Sequence, residues 1–310
     1  MRKIALYILA VICVAYIARE FIYYGLRKNK SGEFEKLTTI FIRQNNYDGL
    51  IIGSSRAESH FVPRVMDSLM HTSCYNAGLA GASPQLSLAA LRAYISHSKT
   101  PSFVVFNIDL NLLDIETDTV RSFPKYFPFL GNDAFYQDVK RIDPRFRYFK
   151  WLPFYSLPYM NDYYLSNAMH GWMGIETEHD HLYEKGFIPE LVHVDSDLDQ
   201  LNYQPQSIVI SDKFKKCFTS LVKECSVNDV KLILVITPLY VKESASIADK
   251  AELISDIRAM ATFNNLPLFD YTTDDICNHK EYFSNPRHLN KKGAILFTTE
   301  FAGQLSQYLR

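Results

Sequence analysis

Four short motifs of this chain contain the residue types that acyl transfer requires. Gly53-Ser54-Ser55-Arg56 follows an apolar run near the start, and Asn285-Pro286-Arg287-His288-Leu289-Asn290 lies near the end. Between them lie Asn76-Ala77-Gly78-Leu79-Ala80-Gly81 and Asn107-Ile108-Asp109-Leu110-Asn111. Acyl transfer needs a nucleophile, a base that activates it, and hydrogen-bond donors for an oxyanion. The four motifs therefore predict a serine esterase or acyltransferase site.

Ser55 is the predicted nucleophile because it stands where a strand turns into a helix. At such a turn its Oγ and its own N–H lie at a helix N-terminus, which stabilises an anion. Ser54 and Ser55 could also be ordinary N-caps of that helix, and the nucleophile interpretation depends on His288 as the base. His60 and His71 are the competing bases, with surface or packing roles as the alternative for both.

The elements that must position these motifs are predicted from apolar runs bounded by turn residues. The predicted strands are 48–52, 73–75, 102–106, 231–237 and 266–269, and the predicted helices are 34–43, 85–97, 212–228, 246–264 and 291–308. Strands that are apolar throughout and alternate with helices indicate a parallel sheet covered on both faces, which is a three-layer α/β/α fold. Ligands of such sheets bind at the carboxyl ends of the strands, and the motifs follow those ends.

The chain divides into an anchor at 1–26, a connector at 27–45 and one large domain at 46–310. Residues 113–206 interrupt the alternation of strands and helices, and we expect an inserted helical or mixed cap beside the active edge. Aromatic residues are abundant, at 14% of the chain with 20 Tyr and 21 Phe. Those of the insertion either pack it against the core, form a binding wall for an acyl chain or a sugar, or rest on a membrane.

The N-terminal segment 1–26 is predicted to be a membrane anchor. Basic residues precede an apolar run from Ile4 to Ala18, and an aromatic flank extends it. A bilayer core needs about 20 residues, so 4–24 suffices with that flank. No small-residue cleavage pair precedes Arg19, which favours an uncleaved anchor over a signal peptide; a buried core helix is the third alternative. We expect a single-pass inner-membrane protein with an extracytoplasmic catalytic domain, although basic residues flank both ends of the span.

Charge and composition restrict the other classes of function. A net charge of −1 gives no indication of a nucleic-acid partner. No His or carboxylate pair stands at a metal-binding spacing and no phosphate-binding loop is present, so we expect no metal and no cofactor. The five cysteines do not have the spacing of a zinc site. A Cys217–Cys225 disulfide is an alternative to free thiols if the domain is extracytoplasmic.

On these motifs the sequence resembles the SGNH/GDSL hydrolase family, most of all its membrane-anchored branch that handles acyl groups on cell-envelope polymers. The similarity covers about residues 46–112 and 230–308. It implies a flavodoxin-like α/β/α fold and Ser55 as the nucleophile, with Ser54 where the family has an aspartate. His288 matches the histidine of the family's Asp-x-x-His block. The Leu-Asn-x-x-Gly-Ala run at 289–294 matches the start of the family's last helix.

The same resemblance implies two further donors to the oxyanion. Gly81 follows Asn76 by five residues, as the second block of the family requires, so its N–H is one donor. The side chain of Asn111 is the other, although Asp109 stands where the family has a glycine. The alternatives are that Gly81 and its neighbours are turn residues only, and that Asn111 caps a turn near Asp114.

Asn285 is the departure from the family pattern, because an aspartate usually stands three residues before the histidine. An amide can orient the imidazole of His288 but supplies no charge to stabilise the imidazolium. Three outcomes are open: a Ser–His dyad whose ring is held by a carbonyl, replacement of the acid by Asp270 or Glu281, or loss of the hydrolytic activity. Arg56 is expected to attract an anionic substrate, or else to pair with a nearby glutamate, Glu58.

The expected function is a membrane-anchored serine esterase or O-acyltransferase that acts on an acylated envelope polysaccharide or a lipid-linked molecule. Its expected partners are the bilayer, through residues 4–24, the acylated molecule, and an integral-membrane acyltransferase. The alternative is an SGNH-fold binding or assembly protein without activity, which Asn285 favours and the pairing of Ser55 with His288 disfavours. A purely structural anchored protein leaves the coincidence of the motifs unexplained.

Overall fold

The computed structural model describes residues 1–30, 32–114, 119–175, 184–190 and 204–309. Its helices are α1 (Arg2–Lys28), α2 (Gly32–Phe41), α3 (Ser55–His60), α4 (Pro63–Met70), α5 (Pro84–Ile95), α6 (Asp133–Ile142), α7 (Phe146–Trp151), α8 (Pro153–Ser156), α9 (Asp162–Met173), α10 (Asp212–Val227), α11 (Val241–Ala245), α12 (Lys250–Phe263) and α13 (Lys291–Leu309). Its strands are β1 (Gly49–Ile52), β2 (Cys74–Asn76), β3 (Phe103–Asn107), β4 (Gln206–Ser207), β5 (Lys231–Ile236), β6 (Ile247–Ala248), β7 (Leu268–Asp270), β8 (Phe283–Asn285) and β9 (His288–Leu289).

A five-stranded parallel sheet in the order β2-β1-β3-β5-β7 forms the centre of the domain. The register pairs Gly49 of β1 with both Cys74 and Phe103, and Phe103 in turn with Lys231. Numbered within the sheet, this order is 2-1-3-4-5, the doubly wound order of flavodoxin-like folds. The order reverses between β1 and β3, and a crevice opens at their carboxyl ends in such sheets. Ser55 lies just beyond the carboxyl end of β1.

Successive residues of each strand enter two separate cores, as the two-residue period of a strand requires. Leu50 and Val104 belong to one cluster, which also takes side chains from α2, α5, α10 and α12. Ile51 and Val105 belong to the other, which takes side chains from α3, α4 and α13. Helices therefore cover both faces of the sheet, and the predicted three-layer α/β/α fold is confirmed.

The elements differ from the predicted ones mainly near the end of the sheet. The helix expected at 246–264 begins later, as α12 at Lys250, because β6 occupies 247–248 and Asp249 has a left-handed conformation with φ 54°. The short strands β8 and β9 pair as an antiparallel hairpin, and neither was expected. They are too short to leave an apolar run in the sequence, but they carry Asn285 and His288.

The segment 27–45 buries apolar side chains in the core, whereas a polar connector would leave its side chains in solvent. Phe34, Leu37, Ile40 and Phe41 of α2 are fully or almost fully buried in the larger core. The helix also contributes the buried Lys36. The division of the chain at residues 26 and 45 stays a prediction, but α2 is part of the folded domain.

Within the insertion predicted at 113–206, the described residues form four helices, α6 to α9, and short 3₁₀ turns at 123–129 and 157–159. Phe127, Phe146 and Phe149 pack on one another in the larger core, with ring centroids 4.4 to 6.1 Å apart. These aromatics fix the insertion to the core. Many others, described below, are exposed.

Helix α1 is 27 residues long and, among the described residues, is the one helix that is long and apolar enough to cross a membrane. Its first half is exposed, and its second half packs on the insertion through Ala15, Tyr23 and Leu26. This arrangement is consistent with an anchor or a signal sequence. The inner-membrane location and the orientation stay predictions.

Cys217 and Cys225 are both free and buried, and both lie on α10. Eight residues of helix separate them by about 12 Å at about 1.5 Å per residue. A disulfide needs Cα atoms within about 7 Å, so the alternative of a bridge between them is wrong.

Candidate active site

Ser55 and His288 lie within hydrogen-bonding distance, although 233 residues separate them in the sequence. The Nε2 atom of His288 is 2.8 Å from the Oγ atom of Ser55. Ser55 opens α3 directly after β1, and His288 lies on the β8–β9 hairpin that precedes α13. The fold therefore unites the serine and the histidine in the relation that a nucleophile and its general base need.

The side-chain oxygen of Asn285 faces the other nitrogen of the same imidazole. Asn285 Oδ1 is 3.0 Å from His288 Nδ1, and it also accepts the backbone N–H groups of Arg287 at 3.0 Å and His288 at 3.1 Å. Both backbone groups are donors, so this amide atom must be the oxygen. The oxygen can only accept from Nδ1–H, which leaves the lone pair of Nε2 for Ser55 Oγ. Asn285 thus selects the tautomer that a base requires.

The environment of His288 disfavours its protonated form. Burial, and next the positive charge of Arg56, lower the pKa of His288 to about 4. Arg287 lowers it further, and the carboxylate of Asp109 partly opposes these effects. His288 is therefore neutral at physiological pH and free to accept a proton. Its imidazolium has no carboxylate in the place where a Ser–His–Asp triad has one.

Ser54 fixes the turn on which Ser55 stands. As N-cap of α3, its Oγ accepts the backbone N–H of Arg56 at 3.3 Å and donates to Asp109 Oδ2 at 2.7 Å. Asp109 follows the carboxyl end of β3, so this contact ties the Ser55 turn to the neighbouring strand. Sequence reasoning treated Asp109 only as a substitution at a family glycine. Its position directly after a predicted central strand was the signal that could have found it.

Arg56 is buried rather than available to a substrate, with 1% of its surface exposed. Its guanidinium donates to the carbonyl oxygens of Thr237 and Pro238 and is 3.5 Å from Asp109. The structure therefore replaces the predicted substrate contact with a structural one, because Arg56 joins α3 to the loop after β5. It does not pair with Glu58 either, since Lys36 does.

Asn76 holds the second motif against α3. Its amide nitrogen donates to the carbonyl oxygens of Ala57 and Phe61, each at 2.8 Å, and its Oδ1 accepts Gly78 N–H. A Cβ on Gly78 would lie 2.5 Å from the backbone nitrogen of Glu58, so only glycine permits this approach. The motif is thereby packed on the helix that carries Ser55.

Gly81 has a left-handed conformation with φ 74°, which favours glycine. Lys125 Nζ donates to the carbonyl oxygen of Ala80 at 3.3 Å, and this carbonyl belongs to the peptide that carries the Gly81 N–H. In the trans peptide the N–H points away from the carbonyl and thus away from Lys125. No hydrogen bond among the described residues joins Gly81 to Ser55, so its oxyanion role stays a prediction.

Asn111 contacts a different charged group. Its amide nitrogen is 3.4 Å from Glu243 Oε1, and the same carboxylate pairs with Arg287. Glu243 is 1% exposed, so this cluster fixes the residue that precedes His288 in the chain. The contact with Glu243 engages the amide that the family resemblance assigned to the oxyanion, and that role also stays a prediction.

The competing bases and replacement acids that the sequence suggested have other partners in the structure. His60 is fully buried, and its Nε2 accepts the backbone N–H of Leu289, so it holds the chain next to His288. His71 ends α4 in a left-handed conformation. Asp270 bonds Thr272 and Arg258, and Glu281 pairs with His279. These contacts give neither carboxylate the position of a replacement acid.

No group of three or more His, Cys, Asp or Glu side chains within the described ranges could hold a metal ion. The site consists of a serine, a neutral imidazole and an amide. Those groups can perform nucleophilic attack with general-base assistance. The expectation that no metal or cofactor takes part stays a prediction.

Comparisons with known proteins give low similarities. No family model matches the chain, and no curated protein matches it. Among solved structures, a candidate lipolytic protein of the G-D-S-L family from Desulfitobacterium hafniense DCB-2 is 10% identical with a TM-score of 0.41, over 83% of this chain and 99% of that one. A candidate acylhydrolase from Bacteroides fragilis NCTC 9343 is 14% identical with a TM-score of 0.41, over 88% and 94%. These values assign no activity to the present chain.

Proposed function

We propose that this chain is a membrane-anchored serine esterase or O-acyltransferase with a Ser55–His288–Asn285 site. The observation that carries the proposal is the pair of contacts on one imidazole, 2.8 Å to Ser55 Oγ and 3.0 Å to Asn285 Oδ1. An N-cap pair of serines needs neither contact. The resemblance of the four motifs to the SGNH/GDSL hydrolases supports the same chemistry.

The proposed reaction begins when Ser55 Oγ attacks the carbonyl carbon of an ester and His288 Nε2 accepts the serine proton. The oxyanion of the tetrahedral intermediate accepts hydrogen bonds from the backbone N–H groups of Ser55 and Gly81. Collapse of the intermediate breaks the ester bond, and His288 returns the proton to the leaving alcohol. Water or an acceptor hydroxyl then attacks the acyl-serine and gives its proton to His288. Collapse of this second intermediate breaks the bond to Ser55 Oγ, which takes the proton back from His288 and releases the acid or the new ester.

The proposed substrate is an acylated polysaccharide or a lipid-linked molecule of the cell envelope. The apolar helix α1 supports a site close to a membrane, and the resemblance supports the acylated substrate. In this proposal the chain is a single-pass inner-membrane protein with its catalytic domain outside the cytoplasm. An integral-membrane acyltransferase partner would supply or receive the acyl group.

Ester turnover by the full-length chain in detergent tests the proposal. Ser55→Ala is expected to abolish hydrolysis of a short-chain aryl ester, because it removes the nucleophile. Ser54→Ala is the comparison: it loses a helix cap worth about 1 kcal/mol and the contact with Asp109 but keeps the Ser55 hydroxyl, so it should lower turnover without abolishing it. Equal turnover by folded Ser55→Ala and the unaltered chain would refute the proposed mechanism.

A second candidate function is a binding protein that keeps the fold without turnover and holds an acylated molecule for a membrane partner. The lowered pKa of His288, which burial and Arg56 cause, favours this candidate because it makes the base weak. An acylated oligosaccharide that binds the folded chain without turnover, equally well in Ser55→Ala, would support it over the esterase.

A further inference from the structure

The C-terminal half of α1 is held by the insertion along a continuous line of contacts. Gly25 packs so closely on α9 that a Cβ there would clash with the carbonyl oxygen of Ala168, and a Cβ on Gly171 would clash with Gly25 itself. Arg19 donates to the carbonyl oxygen of Lys150 at 3.0 Å. The hydroxyl of Tyr16 donates to the carbonyl oxygen of Trp151. α1 and the insertion therefore form one unit.

The order of the contacts shows which part of the insertion points toward the free end of α1. Asn29 contacts Asn167, whereas Phe21, two turns earlier in α1, stacks on Trp172 with ring centroids 4.7 Å apart. Helices α1 and α9 are thus antiparallel. The C-terminal end of α9 and the α7–α8 junction at Trp151 are the parts of the insertion that lie nearest the exposed half of α1.

These parts expose a cluster of large apolar side chains. The collar, as we call it, consists of Trp151, Leu152, Phe154 and Tyr155 at the α7–α8 junction and on α8, and Met169, Trp172, Met173 and Ile175 on and after α9. Trp151 is 60% exposed and Met173 57%. Outside α1, more than half of the exposed large hydrophobic residues of the described chain lie within 148–175. A concentration of exposed apolar side chains beside one helix is typical of a surface that meets a partner or a membrane.

The length of α1 indicates that a lipid bilayer covers the collar. The run from Ile4 to Ala18 has 15 residues, about 22 Å at about 1.5 Å per residue, whereas a bilayer core is about 30 Å thick. A span of about 20 residues that begins at Ile4 ends near Tyr23. The stretch from Tyr16 to Tyr24, where the collar holds α1, therefore extends from the last third of the hydrocarbon core to its headgroup boundary, and not into the water beyond.

We propose that the collar is a second membrane-binding surface, whose aromatic side chains insert into the headgroup and acyl-chain boundary around α1. This proposal rests on the anchoring part of the proposed function and adds a lipid contact by the folded domain itself. Tryptophan and tyrosine prefer that boundary. Exposed basic residues lie nearby, Lys28 at the end of α1, Lys30 after it and Arg147 on α7, and they favour anionic headgroups.

The chain provides its own reporters, because Trp151 and Trp172 are its two tryptophans. The full-length protein is reconstituted into phosphatidylcholine and phosphatidylglycerol vesicles that contain lipids brominated near the headgroup end of the acyl chain. Trp172→Phe leaves only Trp151, and Trp151→Phe leaves only Trp172. We expect each variant to emit at shorter wavelength than an aqueous tryptophan, to lose most of its fluorescence to bromolipid, and to resist quenching by aqueous iodide.

Two controls separate the collar from the anchor. The double Trp→Phe variant with Phe263→Trp provides an aqueous reporter, because Phe263 is 87% exposed on α12, and it should respond to iodide only. Cys13 is the exposed one of the five cysteines and lies in α1. It should resist a water-soluble maleimide in vesicles if α1 is inserted.

Iodide quenching of Trp151 and Trp172 as strong as that of the aqueous reporter, with Cys13 still protected, would overturn the collar and leave the anchor intact. Protection of both tryptophans from iodide and from bromolipid would also overturn it, because a second copy or another protein would then cover the surface. Ser55→Ala should leave every fluorescence result unchanged. Loss of esterase activity therefore tests the proposed function separately.

Discussion

Asn285 decides how the site can work, because one atom of its amide replaces the carboxylate of a catalytic triad. In a serine protease, the exchange of the triad aspartate for asparagine costs roughly 10⁴-fold in turnover, largely through the wrong tautomer of the histidine. Here the two backbone N–H groups of Arg287 and His288 hold Asn285 Oδ1 toward the ring. The tautomer is therefore correct, and the missing negative charge is the remaining deficit.

Asn285→Asp should restore that charge and raise ester turnover. A carboxylate can accept the same three N–H groups and also stabilises the imidazolium, so we expect a gain between about tenfold and the roughly 10⁴-fold ceiling of the protease exchange. Steady-state kinetics on an aryl ester measure the gain. Asn285→Ala is the control and should lower turnover, because nothing then selects the tautomer. Unchanged turnover in both variants would show that Asn285 does not act on His288.

The pH dependence of kcat/KM should reveal the pKa of His288 at about 4 in the free enzyme. Neutral imidazole is the base, so a lowered pKa extends the active form toward acid. We expect the acid limb of the profile to fall through about pH 4, and Asn285→Asp to move it toward neutrality. Neutral His288 also contributes to the free energy of unfolding. This contribution is fully present above about pH 6.5 and is lost as the pH falls toward 4. An acid limb of the kcat/KM profile with its midpoint at pH 6.5 in the unaltered chain would contradict a lowered pKa of His288.

Two buried lysines connect the helices of the domain to the loop that carries Gly81. Lys36 of α2 donates to Glu58 of α3 at 2.7 Å and to the carbonyl oxygen of Gly78 at 2.9 Å. Burial lowers the pKa of Lys36, and Glu58 partly restores it. Lys125 donates to the carbonyl oxygen of Ala80 and pairs with a glutamate of α2. The loop is thus held by charge as well as by packing.

Lys36→Met should destabilise the domain strongly. It leaves Glu58 without its partner, although only 11% of the Glu58 side chain is exposed. Removal of one member of a buried ion pair typically costs about 3–5 kcal/mol. Urea unfolding followed by circular dichroism measures the cost. Lys99→Met is the matched control, because Lys99 pairs with Asp48 at the surface and such pairs contribute about 0–1 kcal/mol. Equal effects of the two substitutions would contradict the role of Lys36.

Lys125→Met should lower kcat more than it changes KM, if the Gly81 N–H stabilises the oxyanion. The lysine orients the Ala80–Gly81 peptide without touching substrate, so the loss should be smaller than the roughly 10²–10³-fold cost of removing an oxyanion donor. Kinetics corrected for the folded fraction measure it. A variant that melts earlier but keeps the kcat of the folded protein would assign Lys125 a structural role only.

For the whole molecule, the sequence predicts the sheet and the Ser55–His288 pair well. Central strands are short apolar runs, and the order of strands and motifs places the nucleophile at the carboxyl edge. The surroundings of the pair were not predictable in this way. Arg56 is buried because the carbonyl oxygens after β5 receive it, and Lys36 meets Glu58 across 22 residues. Such pairings depend on three-dimensional packing and leave no local pattern.

The fold also joins two parts that the sequence presents as separate, the anchor and the domain. The apolar run of α1 looks like an isolated span, but the second half of α1 packs on the insertion, more than 100 residues away in the chain. The insertion thus packs around α1 and does not stand only beside the active edge. Because the insertion packs on α1, the position of α1 in a bilayer also sets the depth of the collar.

Covalent labelling of Ser55 tests the central claim most directly. The full-length chain is incubated with a serine-directed phosphonate probe and weighed by intact mass spectrometry, with Ser55→Ala and His288→Ala as controls. We predict one adduct per chain, lost in Ser55→Ala and strongly slowed in His288→Ala, because the neutral imidazole activates the serine. A folded protein that forms no adduct, or one that labels equally in Ser55→Ala, would contradict the account.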